Sequence, residues 1–262
     1  MHPMLNIAIR AARNAGKVIV KGYENLESVE VEEKSLNDYV SSVDKEAELA
    51  IIGTLQKSYP DHSFICEESG IIEGKDKDHQ WIIDPLDGTT NFIHGIPHFA
   101  VSIALKIKGR TEVGIVFDPI RNELFSAVKG QSSQINGYRT RTNSVPKLAG
   151  TLLATGFPFK QKHHTKTYLQ IFNDFFLEVA DMRRAGSAAL DLAYVAAGRM
   201  DGFWEYGLKP WDIAAGELLL KESGAMMTDF NGGNDYMKSG NVVAANPKLL
   251  KEMLTVIRKH HI

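Results

Sequence analysis

Asp84 and Asp87 stand three residues apart at the end of a short apolar run, Trp81-Ile82-Ile83. A bare pair of this kind has two explanations. It is either a solvated acidic turn, or two carboxylates kept ionised side by side by a hard cation that offsets their repulsion. Glu67 and Glu68 follow a second apolar run, Ser63-Phe64-Ile65-Cys66, and taken alone read as solvated surface. Adjacent residues on a strand point to opposite faces, so both need not face one ion. Asp212 follows Pro210-Trp211, where proline in the first turn and an acid at the positive end of a helix account for it structurally. If these acids converged, the chemistry would be that of an oxygen-ligated cation and a bound anion.

The elements that must position these acids can be read from periodicity. Trp81 to Ile83 has the pattern of a buried strand, which Asp84-Pro85 is expected to end because proline donates no ladder hydrogen bond. Asp87-Gly88 makes a tight turn, and Thr89, Thr90 and Asn91 are helix-starting types. Before this stretch, Leu5, Ala8, Ile9, Ala12, Ala15, Ile19 and Val20 mark an opening amphipathic helix. Val29 to Glu32 alternates like a strand, and Asp44 stands where a helix carrying Ala47, Ala50, Ile51 and Leu55 should be capped. After it, Val101 to Ile107, Val113 to Phe117 and Leu124 to Val128 form an antiparallel meander with short turns. His94 and His98 are taken as structural, and Ile71 to His79 as a charged loop.

Gly130 to Leu148, rich in turn residues, divides the chain into 1–146 and 147–262. Beyond it, Leu152 to Thr155 restarts a strand and Tyr168, Leu169, Phe172, Phe175, Phe176 and Val179 supply a helix whose aromatic stripe belongs to the core. Arg183-Arg184 precede Gly186-Ser187 and an alanine-rich helix that could present N–H groups to an anion. Phe203 to Glu205, Ala225 to Thr228 and Val242 to Ala244 read as strands, and Leu249 to Ile257 as a last amphipathic helix.

Composition excludes several classes. A net charge of −2 argues against strong unaided nucleic-acid binding. Cys66 is the single cysteine, so no intrachain disulfide forms, and a cytoplasmic location is expected. No signal peptide is expected at Met1 to Val20, and no apolar run approaches the ~20 residues that span a bilayer.

The run Asp84-Pro85-Leu86-Asp87-Gly88-Thr89-Thr90-Asn91-Phe92, the triplet Glu67-Glu68-Ser69 and the segment Trp211-Asp212-Ile213-Ala214-Ala215-Gly216-Glu217 resemble the signatures of the inositol monophosphatase family of magnesium-dependent, lithium-sensitive phosphatases. The resemblance runs along the whole chain. It implies an α/β sandwich of alternating helix and sheet layers, a site between two halves and a capacity to dimerise. It also implies roles. Glu67, Asp84 and the Leu86 carbonyl would hold one Mg²⁺, and Asp84, Asp87 and Asp212 another, with two or three ions per site. Thr89, aided by Asp44 or through Glu68, would orient the attacking water. Gly88 and Thr89 would cradle the phosphate, Gly186, Ser187 and Ala188 would line the pocket, Glu205 would contact the polyol, and Arg183 its hydroxyls or phosphate. Lys34 matches a lysine near the metal site.

Four carboxylates in one pocket repel by about 4 kcal/mol per pair at about 4 Å and an effective dielectric near 20, so the cluster calls for cations. All-oxygen donors point to Mg²⁺ rather than zinc, and Mg²⁺ completes its shell with water and substrate phosphate. The expected activity is hydrolysis of a small polyol phosphate monoester, foremost myo-inositol 1-phosphate, with fructose 1,6-bisphosphate or nucleotide 3′-phosphates as alternatives. A bacterial branch of the family is associated with a Nus-factor complex that supports ribosomal RNA transcription. The resemblance therefore also implies a partner-binding role with RNA polymerase.

Overall fold

The computed structural model describes residues 3–35, 38–159 and 161–260, with the backbone alone for Lys34, Ser35 and Asp38. The Lys34 side chain, expected near the metal site, lies outside the described residues. Helices α1 (Pro3–Tyr23) and α2 (Ser42–Ser58) flank a hairpin of β1 (Val31–Ser35) and β2 (Asp38–Ser41). There follow β3 (Ser63–Cys66), β4 (Gly70–Ile72), β5 (His79–Asp87), the short α3 (Thr89–Ile93), β6 (Ala100–Ile107), β7 (Arg110–Asp118), β8 (Glu123–Val128), β9 (Gln134–Ile135) and β10 (Tyr138–Arg139). The remainder is β11 (Leu152–Thr155), α4 (Thr165–Phe176), β12 (Asp181–Arg183), α5 (Ala188–Ala196), β13 (Gly202–Glu205), α6 (Pro210–Ser223), β14 (Met226–Thr228), α7 (Tyr236–Ser239), β15 (Val242–Ala245) and α8 (Pro247–Ile257).

An eight-stranded sheet in the order β10-β9-β8-β7-β6-β5-β3-β4 and a five-stranded sheet in the order β12-β11-β13-β15-β14 alternate with helices. Side-chain parity sets the layers. Trp81 and Ile83 of β5 pack with α1 and α2, while Ile82 faces the other way, toward α5 and α6. In the second sheet Ala154, Phe203 and Ala244 face that same middle layer, and Leu153, Trp204 and Val243 face α4 and α8. The middle layer is covered on both sides, which is why every residue from Ala188 to Ala193 is buried.

Several sequence expectations are corrected. Strand β5 does not stop at Asp84-Pro85. It continues to Asp87 because its register against β6 slips between these two aspartates, and a bulge tolerates a proline without a ladder N–H. Asp44 is not the residue capping α2. Ser41 is, and Asp44 in the first turn accepts the Ser41 N–H at 2.9 Å as the return half of a capping box. The charged loop after Glu68 begins with strand β4, and the segment Gly130 to Leu148 holds the β9–β10 hairpin. On α4 Tyr168, Ile171 and Phe175 are buried in the core and Phe172 packs partly against it, whereas Leu169 and Phe176 are exposed. No described helix is long and apolar enough to cross a membrane.

Candidate active site

Three carboxylates from two distant segments meet in one cavity. Asp84, Asp87 and Asp212 each place a ligand atom within 4.8 Å of the others, Asp84 being buried and the other two partly accessible. The bulge in β5 turns Asp84 and Asp87 toward one another, and α6 brings Asp212 from the first turn of a helix in the middle layer. Each is anchored by backbone. Asp84 Oδ1 accepts the Leu86 N–H at 3.0 Å, and Asp212 Oδ2 the Lys209 N–H at 2.6 Å. Asp87 Oδ2 accepts from Ser187 Oγ at 2.6 Å and from the Ala189 N–H at 2.7 Å. The N-terminus of α5, expected to offer its N–H groups to an external anion, is thus capped by the protein's own Asp87. Asp87 Oδ1 stays available for a cation.

Glu67 lines the same cavity and shares a hydrogen bond with Asp84. Burial pushes the Asp84 pKa well above the usual carboxylate range, and the negative charges of Glu67, Asp87 and Asp212 add to this. Asp87 is pushed up to about 6 by burial, although its bonds from Ser187 and Ala189 and the positive charge of Arg184 pull the other way. A bound cation would favour the ionised forms of both groups.

Beside the cluster, Gly88 at φ +100° turns the chain into α3. A Cβ there would lie 3.0 Å from the His98 carbonyl oxygen and 3.2 Å from that of Gly186, so glycine lets this turn close against the distant Gly186 segment. Asn91 Nδ2 ties the same two segments, donating to the carbonyls of His98 at 2.8 Å and Ala185 at 2.9 Å. Thr89 Oγ1 has two acceptors, Asp44 Oδ1 at 2.9 Å and the Leu86 carbonyl at 3.1 Å. Asp44 is pushed up to about 6 by burial, against the bonds from Ser41 and Thr89 and with the charge of Glu68 raising it further.

The remaining predicted residues divide. Gly186, Ser187, Ala188 and Glu205 line the cavity. Burial raises the Glu205 pKa well above its ordinary value, with the charges of Asp191 and Asp212 adding to it. Glu68 does not line the cavity, and its N–H is held by Glu48 Oε2 at 2.9 Å. Arg183 is not brought in either. It is exposed on β12 and paired with Asp181, while Arg184, one residue on and turned the other way, lines the wall with its guanidinium 5.1 Å from the Phe157 ring.

Three contributors were not singled out from the sequence. Glu48 is buried on α2 and fixes the Glu67-Glu68-Ser69 turn through the Glu68 and Ser69 N–H groups. Its spacing of one helical turn from Asp44 on the inward stripe was a usable signal. Asp191 is a buried acid in an apolar helix. Gly156 had no signal: a Cβ there would fall 2.1 Å from the Glu205 carboxylate, so the Glu205 position depends on it.

A second cluster, His62, Asp76 and His79, has metal-ligand types, and the Nδ1 atom of each of its histidines already has a partner. Trp81 Nε1 donates to His62 Nδ1 at 3.1 Å, and His79 Nδ1 meets Asp76 Oδ2 at 2.8 Å. The two imidazoles stack at 4.5 Å. This cluster fastens the 73–79 loop to β5. The aspartate cluster has only oxygen donors and excess negative charge, which fits a hard cation.

The sequence matches the inositol monophosphatase family over residues 1–262. The chain belongs to the inositol monophosphatase family. Members of this phosphatase family are metal-dependent, in keeping with the acidic centre described above. An Escherichia coli relative named Nus factor SuhB is 62% identical over 258 residues, covering 98% of this chain and 97% of that protein. The crystal structure of the suppressor protein suhB from Bartonella henselae superposes with a TM-score of 0.96 at 43% identity, covering 98% of this chain and 99% of that one. Thermotoga maritima IMPase gives 0.89 at 33% identity, covering 98% of each chain. The layered architecture of this inositol monophosphatase family chain is that of these solved structures.

Proposed function

We propose that this chain is a Mg²⁺-dependent phosphatase acting on small polyol phosphate monoesters, with myo-inositol 1-phosphate as the preferred substrate. The observation carrying this reading is the approach within 4.8 Å of oxygens from Asp84, Asp87 and Asp212. Together with Glu67 and the Leu86 carbonyl they would hold two or three Mg²⁺ ions. When bound, the ions supply Lewis acidity: they lower the pKa of water and neutralise phosphate oxygens.

The protein's own groups do the aiming. Thr89, by donating its hydroxyl hydrogen to Asp44, keeps its lone pairs to accept a hydrogen bond from water and so orients it. Asp44 is a positioning residue, held by the Ser41 N–H. Asp87 joins substrate and metal geometry, because the same carboxylate binds the N-terminus of the helix whose N-cap and first residue, Ser187 and Ala188, line the pocket. Glu205, held against Gly156, presents a carboxyl group to the polyol hydroxyls, and Arg184 supplies the positive charge expected of Arg183. Phosphate release from inositol 1-phosphate in Mg²⁺ tests the reading. Asp212→Asn should lower it about 100-fold or more, and release near the wild-type rate would overturn the metal assignment.

A second role rests on the 62% identity to a protein named a Nus factor. In this reading the chain also joins a transcription complex by protein contacts. Binding to Nus factors that survives Asp212→Asn supports this reading, and absence of binding by the wild type refutes it.

A further inference from the structure

Asp191 sits in the first turn of α5 in the middle layer, 1% exposed, with Leu190 and Leu192 fully buried on either side. Its Oδ1 is sealed from solvent and has no hydrogen-bond partner, the one carboxylate oxygen in that condition among the described residues. Leaving a buried acceptor unpaired is unfavourable, more so for a charged group, and the neighbouring leucines show that an apolar side chain suits this helix. Asp191 nonetheless lines the cavity, together with Glu205, Gly156, Tyr206 and Arg184.

We infer that Asp191 is a specificity-determining residue whose carboxyl group, where it lines the cavity, hydrogen-bonds substrate hydroxyl groups. The inference deepens the polyol phosphatase reading and rests on it. Two carboxyl groups, Asp191 and Glu205, line this part of the cavity, the charge of Asp191 bears on Glu205, and the positive charge of Arg184 acts on both. An acceptor-rich wall already supplied with a guanidinium does not call for another cation. It calls for a neutral group rich in donors, and a polyol ring offers several adjacent O–H groups. The placement is rigid. Asp191 N–H bonds the Ser187 carbonyl at 3.0 Å, and Ser187 Oγ and the Ala189 N–H hold Asp87. One helical turn therefore sets the distance between the hydroxyl-reading wall and the acidic cluster, which selects esters by where their hydroxyls lie relative to phosphorus.

The test uses the full chain with Mg²⁺ and two substrates, myo-inositol 1-phosphate and p-nitrophenyl phosphate, whose alcohol part carries no hydroxyl. For Asp191→Ala the ratio of kcat/KM between the two should fall about tenfold through KM for the inositol ester, as for loss of one hydrogen bond. Asp191→Asn, which keeps one acceptor, should recover part of that ratio. Without substrate, Asp191→Asn should melt at or above the wild-type temperature, since an unpaired carboxylate is removed. An equal loss on both esters, or a lower melting temperature for Asp191→Asn, would make the residue structural and overturn the inference. A wild type that releases phosphate from neither ester would overturn the phosphatase reading together with this one, whereas an active wild type with unchanged selectivity in both variants overturns only the role of Asp191.

Discussion

Replacing Asp87 by asparagine separates the stability of the site from its activity. Folding raises the Asp87 pKa from 3.8 to about 6, which corresponds to about 3 kcal/mol between the protonated and ionised forms. That is an upper limit, because the side chain is partly accessible from the cavity, where solvent screens it. With the folded pKa above the unfolded one, the carboxyl favours folding fully below about pH 4, and this contribution is lost as pH rises through about 6. Asparagine removes the ionisable group and can still offer an amide oxygen to the Ala189 N–H. In EDTA at pH 8, Asp87→Asn should therefore melt several degrees above the wild type, up to about 10 °C at roughly 2–4 °C per kcal/mol. At pH 4 the advantage should vanish. Mg²⁺ should close most of this gap at pH 8, stabilising the wild type by about 2.7 kcal/mol at a hundred times its dissociation constant while barely moving the variant. Thermal melts at pH 4 and 8, with EDTA and with Mg²⁺, check all three statements. A variant less stable than the wild type in EDTA at pH 8, or one stabilised equally by Mg²⁺, would refute the account of this carboxylate.

Two further substitutions probe the groups around the cluster. Thr89→Ala removes the hydroxyl bound to Asp44 and should lower kcat about 100-fold or more with little change in KM, while Thr89→Ser should restore most of it; steady-state kinetics on inositol 1-phosphate decide. Gly156→Ala places a methyl group 2.1 Å from the Glu205 carboxylate and should raise KM for the inositol ester about tenfold by displacing that group, with Mg²⁺ stabilisation retained; an unchanged KM would remove Glu205 from polyol binding.

The acids themselves, the strand that carries Asp84 and the helix that carries Asp212 were readable because each is local. Apolar residues at period two or 3.6 and turn-forming glycines specify them within a dozen positions. The alternation along β5, β11 and β13 even contained the layering, since each strand carries apolar side chains on both faces. Locality also explains the errors. Pro85 is a strand breaker by its own chemistry, and only the slip against β6 makes room for it. Arg183 and Arg184 are equivalent as letters, and only the tertiary structure decides that Arg184, just past the end of β12, reaches the cavity while Arg183 pairs with Asp181.

By itself the sequence determined the donor chemistry of this protein: several carboxylates on rigid elements, with no cysteine or histidine set beside them. The tertiary structure alone decided which carboxylates share a centre and which are spent elsewhere. Asp87 reaches the N-terminus of α5, Thr89 finds Asp44, Gly156 admits Glu205, and His62 is claimed by Trp81. Each of these contacts joins residues separated by tens of positions or more, except the nearer pair His62 and Trp81. Their meeting is set by how the sheets and helices stack, because burying apolar faces fixes the layers and the layers fix which loops converge.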